Sequence, residues 1–482
     1  MKENSYKKNY VYNLLYSVLT MLLPLLTTPY ISRVIGASGL GVYSYNYTIA
    51  GYFSTFALLG INFYGNREIA KIRDDIDKRN VIFSEIYTMQ LITSISILAL
   101  YGIYLACFTN EDRLIAIIML FHVISPAFSI NWFFSGMEMF KITVIRNIII
   151  KILTVLSIFL FVKSKVDLWI YALIMSLGTL LSEGYLILLV PRYAKYHIPS
   201  IKAILTHFKP NIILFVPILS VSVYRSMDKL MLKWLVDYEQ VGYYTNAEKI
   251  INVCLACVTA LGQVMLPKMT NLLSNGMREQ FYSLLSKSFK YVNIITIAMM
   301  FGLFSVADVF VPVFFGSGYE ACILLIKLLS INLVFLSWGN VLKTQYLIPR
   351  ERDSLYIKSV MFGAIINFGL NILLIPILKA QGATIATICA EFISLIIIIY
   401  HLRKEIKIVK DIRSAIPYIV FGFSMYCIVS SISFQSLGIL LNLIIRIFIG
   451  VLLYTITCVV YWKIINDEFY NIIKNILRKL HH

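Results

Sequence analysis

Arg225, Lys229 and Lys233 recur every fourth residue in the otherwise apolar stretch NIILFVPILSVSVYRSMDKLMLKWLVDY. Four-residue spacing puts all three on one face of a helix. An arginine fork matches phosphate oxygens and a lysine supplies a mobile point charge, so the pattern predicts an anion site. A salt-bridge ladder to Asp228 on the same helix, or to Glu183, Glu248 or Glu391 elsewhere, is the competing reading. Lys151, in another apolar stretch, is a further cavity-facing cation, whereas Arg146 one turn earlier reads as a surface-seeking side chain. The four acids also lie in apolar segments, where desolvation favours the protonated form; they are candidates for coupling to a proton or sodium gradient, or for charge pairing.

Composition fixes the surroundings of these residues. The chain has 482 residues, 59% hydrophobic and 14% charged, with mean hydropathy +0.78. Soluble domains carry about 25% charged residues. Too little polar surface exists to cover a globule of this size in water, so lipid must solvate most of it. Fourteen stretches are long and apolar enough to cross a bilayer, which takes about 20 residues: 10–31, 40–62, 81–107, 113–134, 143–162, 168–190, 210–235, 240–264, 289–314, 320–346, 357–378, 382–402, 415–434 and 438–462. The first exceeds a signal-peptide core and reads as a retained span. Strand-period alternation is absent, which excludes a β-barrel. The expected fold is an all-α polytopic membrane protein.

The net charge of +18 has a positional explanation. Taking the N-terminus as cytoplasmic, the eight inward segments hold 31 Lys and Arg, and the seven outward loops hold 5. That is the positive-inside pattern. It places both termini in the cytoplasm and removes the need for a nucleic-acid partner. No Walker-type loop or HExxH pattern occurs, so ATP energy and a metal centre are not expected from this chain. Cys254 and Cys257 form the one close cysteine pair; inside an apolar helix they read as small fillers rather than a redox or metal motif.

The chain also repeats itself. At an offset of 201, Gly41 falls on Gly242, Tyr43 on Tyr244, Ser44 on Thr245, Ile49 on Ile250 and Arg67 on Lys268. Glu183 and Glu391 correspond at 208. Six spans per copy bring both copies into the membrane from the same side, a parallel repeat suited to two lobes. The expected organisation is an N-lobe at 1–190, a cytoplasmic linker at 191–209, a C-lobe at 210–402, two further spans at 403–462 and an amphipathic tail at 463–482. Pro24, Pro29, Pro210 and Pro217 interrupt the first span of each lobe, where they serve a gate or plain packing kinks. Asn46, Asn131, Trp132 and Asn246 are polar or aromatic at cavity depth and are candidates for sugar contact.

The stretches PLLTTPYISRVIGASGLGVYSYNYTIAGYF, LLGINFYGNREIAKIRDD, DKLMLKWLVDYEQVGYYTNAEKII, FFGSGYEACILLIKLLS and GATIATICAEFIS, in that order, resemble the O-antigen and capsular-polysaccharide repeat-unit flippases of the Wzx type. These belong to the multidrug/oligosaccharidyl-lipid/polysaccharide (MOP) superfamily. The resemblance implies fourteen helices in two lobes, like the multidrug and toxic-compound extrusion (MATE) proteins. It implies an undecaprenyl-diphosphate-linked oligosaccharide moved between leaflets of the bacterial plasma membrane, with no cofactor and no enzymatic chemistry. Membrane lipids, a polysaccharide polymerase and chain-length proteins are the implied partners. Arg33, Arg67, Asp228 and Glu391 lie in the matching motifs; Arg33 reads equally as an interfacial anchor. A lipid II flippase and a MATE-type drug/ion antiporter are the alternatives. A basic cavity disfavours the latter, and outward loops this short disfavour a glycan polymerase.

Overall fold

The computed structural model describes the backbone of residues 2–109, 111–432, 438–471 and 474, with side chains described from Leu23 onward. The expected tail helix therefore lies mostly outside the described residues. Among those described there is no strand. The chain runs α1 (Lys2–Leu58), α2 (Ile61–Ile72), α3 (Ile76–Cys107), α4 (Arg113–Ile118), α5 (Leu120–Ile124), α6 (Asn131–Gly136), α7 (Phe140–Phe161), α8 (Leu168–Leu189), α9 (Ile201–Leu235) and α10 (Tyr238–Ser274). It continues through α11 (Arg278–Phe314), α12 (Ala321–Leu342), α13 (Asp353–Leu402), α14 (Ile408–Arg413), α15 (Ile416–Ser431) and α16 (Ile439–Ile464). Eleven helical stretches among the described residues are long and apolar enough to cross a membrane. Their outer faces keep large apolar side chains exposed, such as Ile377, Leu188 and Phe448. Water would not tolerate such a surface, and lipid does.

Two of the long helices contain two expected spans each. The 50 residues of α13 would be about 75 Å long if straight, against a bilayer core of about 30 Å. Lys379, at φ 52° and ψ −131°, breaks it. A Cβ on Gly382 would stand 2.4 Å from the Leu374 carbonyl oxygen, and one on Gly363 3.2 Å from that of Ala390. The arms 353–378 and 380–402 therefore run antiparallel, and only glycine fits at position 382. In α1 the break is Gly36, at φ 79°.

The fourth expected span, 113–134, is not one helix. It breaks into α4, α5, a 3-10 turn at Ser125–Phe128 and α6. Pro126 cannot continue the backbone ladder. The Ser125 hydroxyl donates to the His122 carbonyl, four residues before the proline (2.8 Å), and fully buried Gln90 of α3 braces the break: its Nε2 donates to the carbonyls of Pro126 (2.6 Å) and Ser129 (2.7 Å), and its Oε1 accepts from Trp132 Nε1 (2.9 Å). Irregular backbone at membrane depth survives where protein buries it.

Contacts divide the chain into Met1–Thr245 and Asn246–His482. In the first unit, α9 packs on α1, α2 and α3, so it joins the helices of the expected N-lobe. One core lies between α1, α3, α4, α5, α7 and α8, around Tyr43, Tyr101 and Tyr171. A second surrounds Trp132, Phe133 and Phe83. In the second unit α11 is central, packed against α12, α15 and α16.

The two glycines that the 201-residue offset aligns also meet the facing helices in matching ways. A Cβ on Gly41 would fall 1.7 Å from the Tyr238 carbonyl oxygen, and one on Gly242 2.0 Å from that of Ala37. Both pairs, 37 with 238 and 41 with 242, differ by 201, so the contact is reciprocal between the copies. Glu138 and Glu351, each leading into the next long helix, both take φ 57°.

Candidate functional site

The cationic face of α9 lies along the second half of α1. Trp234 Nε1 donates to the Tyr45 hydroxyl (3.0 Å), the Tyr52 hydroxyl donates to the Val223 carbonyl (3.4 Å), and Phe56 meets Phe215 edge-on. A Cβ on Gly60 would touch the Asn211 carbonyl at 2.6 Å. The two segments are thus antiparallel, in close backbone contact at one end. Along this seam α1 presents Tyr45, Tyr47 and Tyr52. Lys229, half-buried, lies near Tyr47. Arg225 is exposed, and no ion pair involving it occurs among the described residues. Asp228 is buried and accepts from the Tyr244 hydroxyl at 2.6 Å.

Lys233 is engaged differently from its two helix mates. It pairs with Glu111 at 3.1 Å and stands 4.0 Å from the Tyr238 ring centroid. Nearby Asp112 holds its proton more tightly than an ordinary carboxylate, chiefly through burial, with the Lys233 charge opposing. Arg33, exposed, donates to the Pro29 carbonyl of its own helix at 3.2 Å. Arg67, on α2, pairs with Glu68 at 3.2 Å. Lys151 is half-buried on α7.

A second polar cluster joins α6, α7 and α8. Arg146, with a side chain 3% exposed, donates to the Ser182 carbonyl (2.7 Å) and to the side-chain oxygens of Asn131 (3.1 Å) and Asn147 (2.7 Å). Its Nη1 lies 3.8 Å from Glu183 Oε2, which also accepts from Asn131 Nδ2 at 2.7 Å. Arg146 therefore does not reach for the surface, as its sequence position indicated. A carboxylate across the helix interface holds it inside, because an ion pair offsets the cost of burying either charge.

Of the remaining candidates, Glu248 and Glu391 are half-buried. Asn246 is fully buried, its Nδ2 without a hydrogen-bond partner among the described residues, and its Oδ1 accepts from Lys249 at 3.4 Å. Asn46 is buried and donates back to the Val42 carbonyl. Trp132 is 1% exposed, against Gly65 and Phe83, so its ring is core. The cysteines are free thiols. No group of three or more His, Cys, Asp or Glu side chains that could hold a metal occurs among the described residues.

Sequence reasoning missed Arg146, Asn147 and Ser182 as one cluster, and Tyr47 and Tyr52 as neighbours of the cations. A polar pair such as Ser182-Glu183 in an apolar helix signals a partner across the interface, but not which helix supplies it. The tyrosines carried no signal, since the chain holds 32 of them.

The geometry can be set beside known proteins. The family model described as "Polysaccharide biosynthesis protein" matches residues 6–273, and that described as "Lipid II flippase MurJ" matches 180–448. The chain is 22% identical over 410 residues to the "Putative O-antigen transporter" of Escherichia coli (strain K12), covering 83% of this chain and 97% of that protein. The namesake from Shigella dysenteriae is also 22% identical, covering 82% and 99%. The fold is similar to lipid II flippase MurJ in its inward closed conformation, at TM-score 0.75 and 16% identity, covering 95% of this chain and 100% of that one. It is also similar to an inward-facing multidrug resistance MATE family transporter, at TM-score 0.60 and 14% identity, covering 81% and 99%. The apolar helices, their order and the matched models agree: the chain is a multi-pass membrane protein that belongs to the polysaccharide biosynthesis protein family, in the Wzx-type branch of the MOP superfamily.

Proposed function

We propose that this protein turns an undecaprenyl-diphosphate-linked oligosaccharide from the inner to the outer leaflet of the bacterial plasma membrane, for capsule, exopolysaccharide or O-antigen synthesis. The observation that carries this reading is Lys229 beside Tyr47 of α1, with Arg225 one turn away on the same face of α9, in a lipid-solvated chain. A diphosphate needs more than one cation once water is removed, and the arginine fork and lysine ammonium together supply two. Tyrosine rings offer faces and hydroxyls to a sugar while the polyprenol tail stays in the bilayer.

The motion in this reading is alternating access between duplicated halves, 1–190 and 210–402, with the linker, the 403–462 pair and the tail accessory to it. The positive-inside loops support cytoplasmic termini. Lys233, Lys151, Arg33 and Arg67 serve entry and exit of the head group. Glu183, Asp228, Glu248 and Glu391 couple the cycle to an ion gradient or balance the cations, and Asn46, Asn131 and Asn246 serve sugar contact. A polysaccharide polymerase would receive the product. Lipid II is the second reading, favoured by the match to the lipid II flippase model over 180–448.

The test has two arms. The double variant Arg225→Ala, Lys229→Ala is expected to abolish surface polysaccharide while the protein still inserts; normal capsule eliminates this anion site. Proteoliposomes offered labelled lipid-linked oligosaccharide and lipid II separately then decide the cargo. Transport of lipid II alone overturns the polysaccharide reading.

A further inference from the structure

Arg446 is a charge in an unusual place. It sits seven residues into α16, about 10 Å from the start of that helix. It is 8% exposed, and its Nε is buried without a hydrogen-bond partner among the described residues. A buried guanidinium N–H left unsatisfied is costly. Arg146 in the first unit, whose Nε is likewise unpartnered among the described residues, has Glu183 3.8 Å from its Nη1. Among the described residues no acid lines the space around Arg446.

That space is a cleft of about 370 Å³ between α10, α11, α15 and α16, within the range of ligand pockets, roughly 300–1,000 Å³. Its walls are apolar: Ala298, Gly302 and Phe310 of α11, Met425 of α15, and Val451 and Tyr454 of α16. The Tyr454 hydroxyl already donates to the Ile294 carbonyl, so Arg446 supplies the one charge. At Gly302 nothing lies within 4 Å of where a Cβ would stand, so the cleft opens directly onto backbone. Long side chains on a helix lean toward its N-terminus, here toward the near end of α16 and the interface.

We infer that this cleft binds one anionic phospholipid of the surrounding leaflet, its phosphodiester on the Arg446 guanidinium and an acyl chain along Gly302. The charge count selects this occupant. A phosphodiester carries one negative charge and meets one fork; a polyprenyl diphosphate would call for a second cation, and none lines the cleft. A zwitterionic lipid brings its own ammonium to the phosphate and gains less from the arginine. The site is separate from the cationic face of α9, and the inference does not rest on the cargo proposed above.

Native mass spectrometry of the full-length protein in detergent tests it, with palmitoyl-oleoyl phosphatidylglycerol, the matching phosphatidylethanolamine and undecaprenyl phosphate as probes. The wild type is expected to retain one phosphatidylglycerol at collision energies that strip phosphatidylethanolamine. Arg446→Gln should weaken that retention about tenfold or more, as loss of a charge-assisted bond does. Gly302→Leu should do the same by filling the cleft, and its Cβ has no atom within 4 Å, so it stays informative if the arginine variant fails to fold. Unchanged retention in Gly302→Leu overturns the site. Equal retention of the two phospholipids overturns the charge argument, and displacement by equimolar undecaprenyl phosphate assigns the cleft to cargo instead.

Discussion

Consider removing the Arg146 cation by Arg146→Met, which keeps the length and apolar bulk of the side chain. The native side chain approaches Glu183 at 3.8 Å and makes hydrogen bonds to the Ser182 carbonyl, Asn131 and Asn147. At 3.8 Å and an effective dielectric of about 20, the pair attracts by about 4 kcal/mol. The variant strands the Glu183 carboxylate, 18% exposed, beside apolar helices. Breaking a buried pair in this way costs about 3–5 kcal/mol, so the two estimates agree. Unfolding entropy near 2.1 cal/mol/K per residue makes about 1 kcal/mol/K for the whole chain. A loss of about 4 kcal/mol then lowers Tm by at least about 4 °C, and by more where helices persist in the unfolded state in detergent. Glu183→Leu alone should cost a similar amount by stranding the cation. The double variant Arg146→Met, Glu183→Leu should regain most of the loss, because replacing both partners removes the unpaired charge. Thermal unfolding followed by fluorescence-detected gel filtration reads all four proteins. Additive losses in the double variant would refute the pairing, and single variants melting with the wild type would refute the burial argument.

Other perturbations follow from the same coordinates. Gly41→Ala and Gly242→Ala each drive a methyl group into a carbonyl of the facing helix, at 1.7 and 2.0 Å; both should lose stability by similar amounts, at least the roughly 1–3 kcal/mol of overpacking, and a large difference between their melting temperatures would break the reciprocity of the contact. Gln90→Ala removes the side-chain partner of the Ser129 carbonyl and of the Trp132 N–H, while the Pro126 carbonyl keeps the Ser129 N–H; at about 1–3 kcal/mol for each lost partner, the folded yield should fall, and a well-behaved variant on gel filtration would show that the broken span is held otherwise. Glu405 lies outside the spans, with its pKa lowered first by the Arg352 hydrogen bond at 2.6 Å, then by Tyr346 and Arg350. A depressed carboxylate contributes stability above its unfolded pKa of about 4.3 and loses it as pH falls through the folded value. Glu405→Gln should therefore melt below the wild type at pH 7 and converge with it near pH 3; a gap that persists at low pH counts against a charge effect.

Hydropathy and charge alone determined that this chain is a bundle of membrane-spanning helices, because about 20 apolar residues in succession leave the backbone no other way to satisfy its polar groups in lipid. They also placed the ends of α7, α8, α15 and α16 within a few residues, and matched residue types marked the 201-residue offset between Gly41 and Gly242. Only tertiary packing decided how each charge is met. Lys233 and Arg225 sit on the same face of α9 in an equivalent sequence context, yet Lys233 reaches Glu111 while Arg225 remains exposed. Arg146, near the start of α7, is locked inside by a carboxylate 37 positions away in the chain. The stretch 113–134 read as one plain span, and nothing in it indicated that Gln90 from α3 would bind the carbonyls of Pro126 and Ser129. Hydropathy is a property of each segment, whereas an ion pair or a repaired carbonyl depends on which segments become neighbours, and that is settled only when the helices assemble.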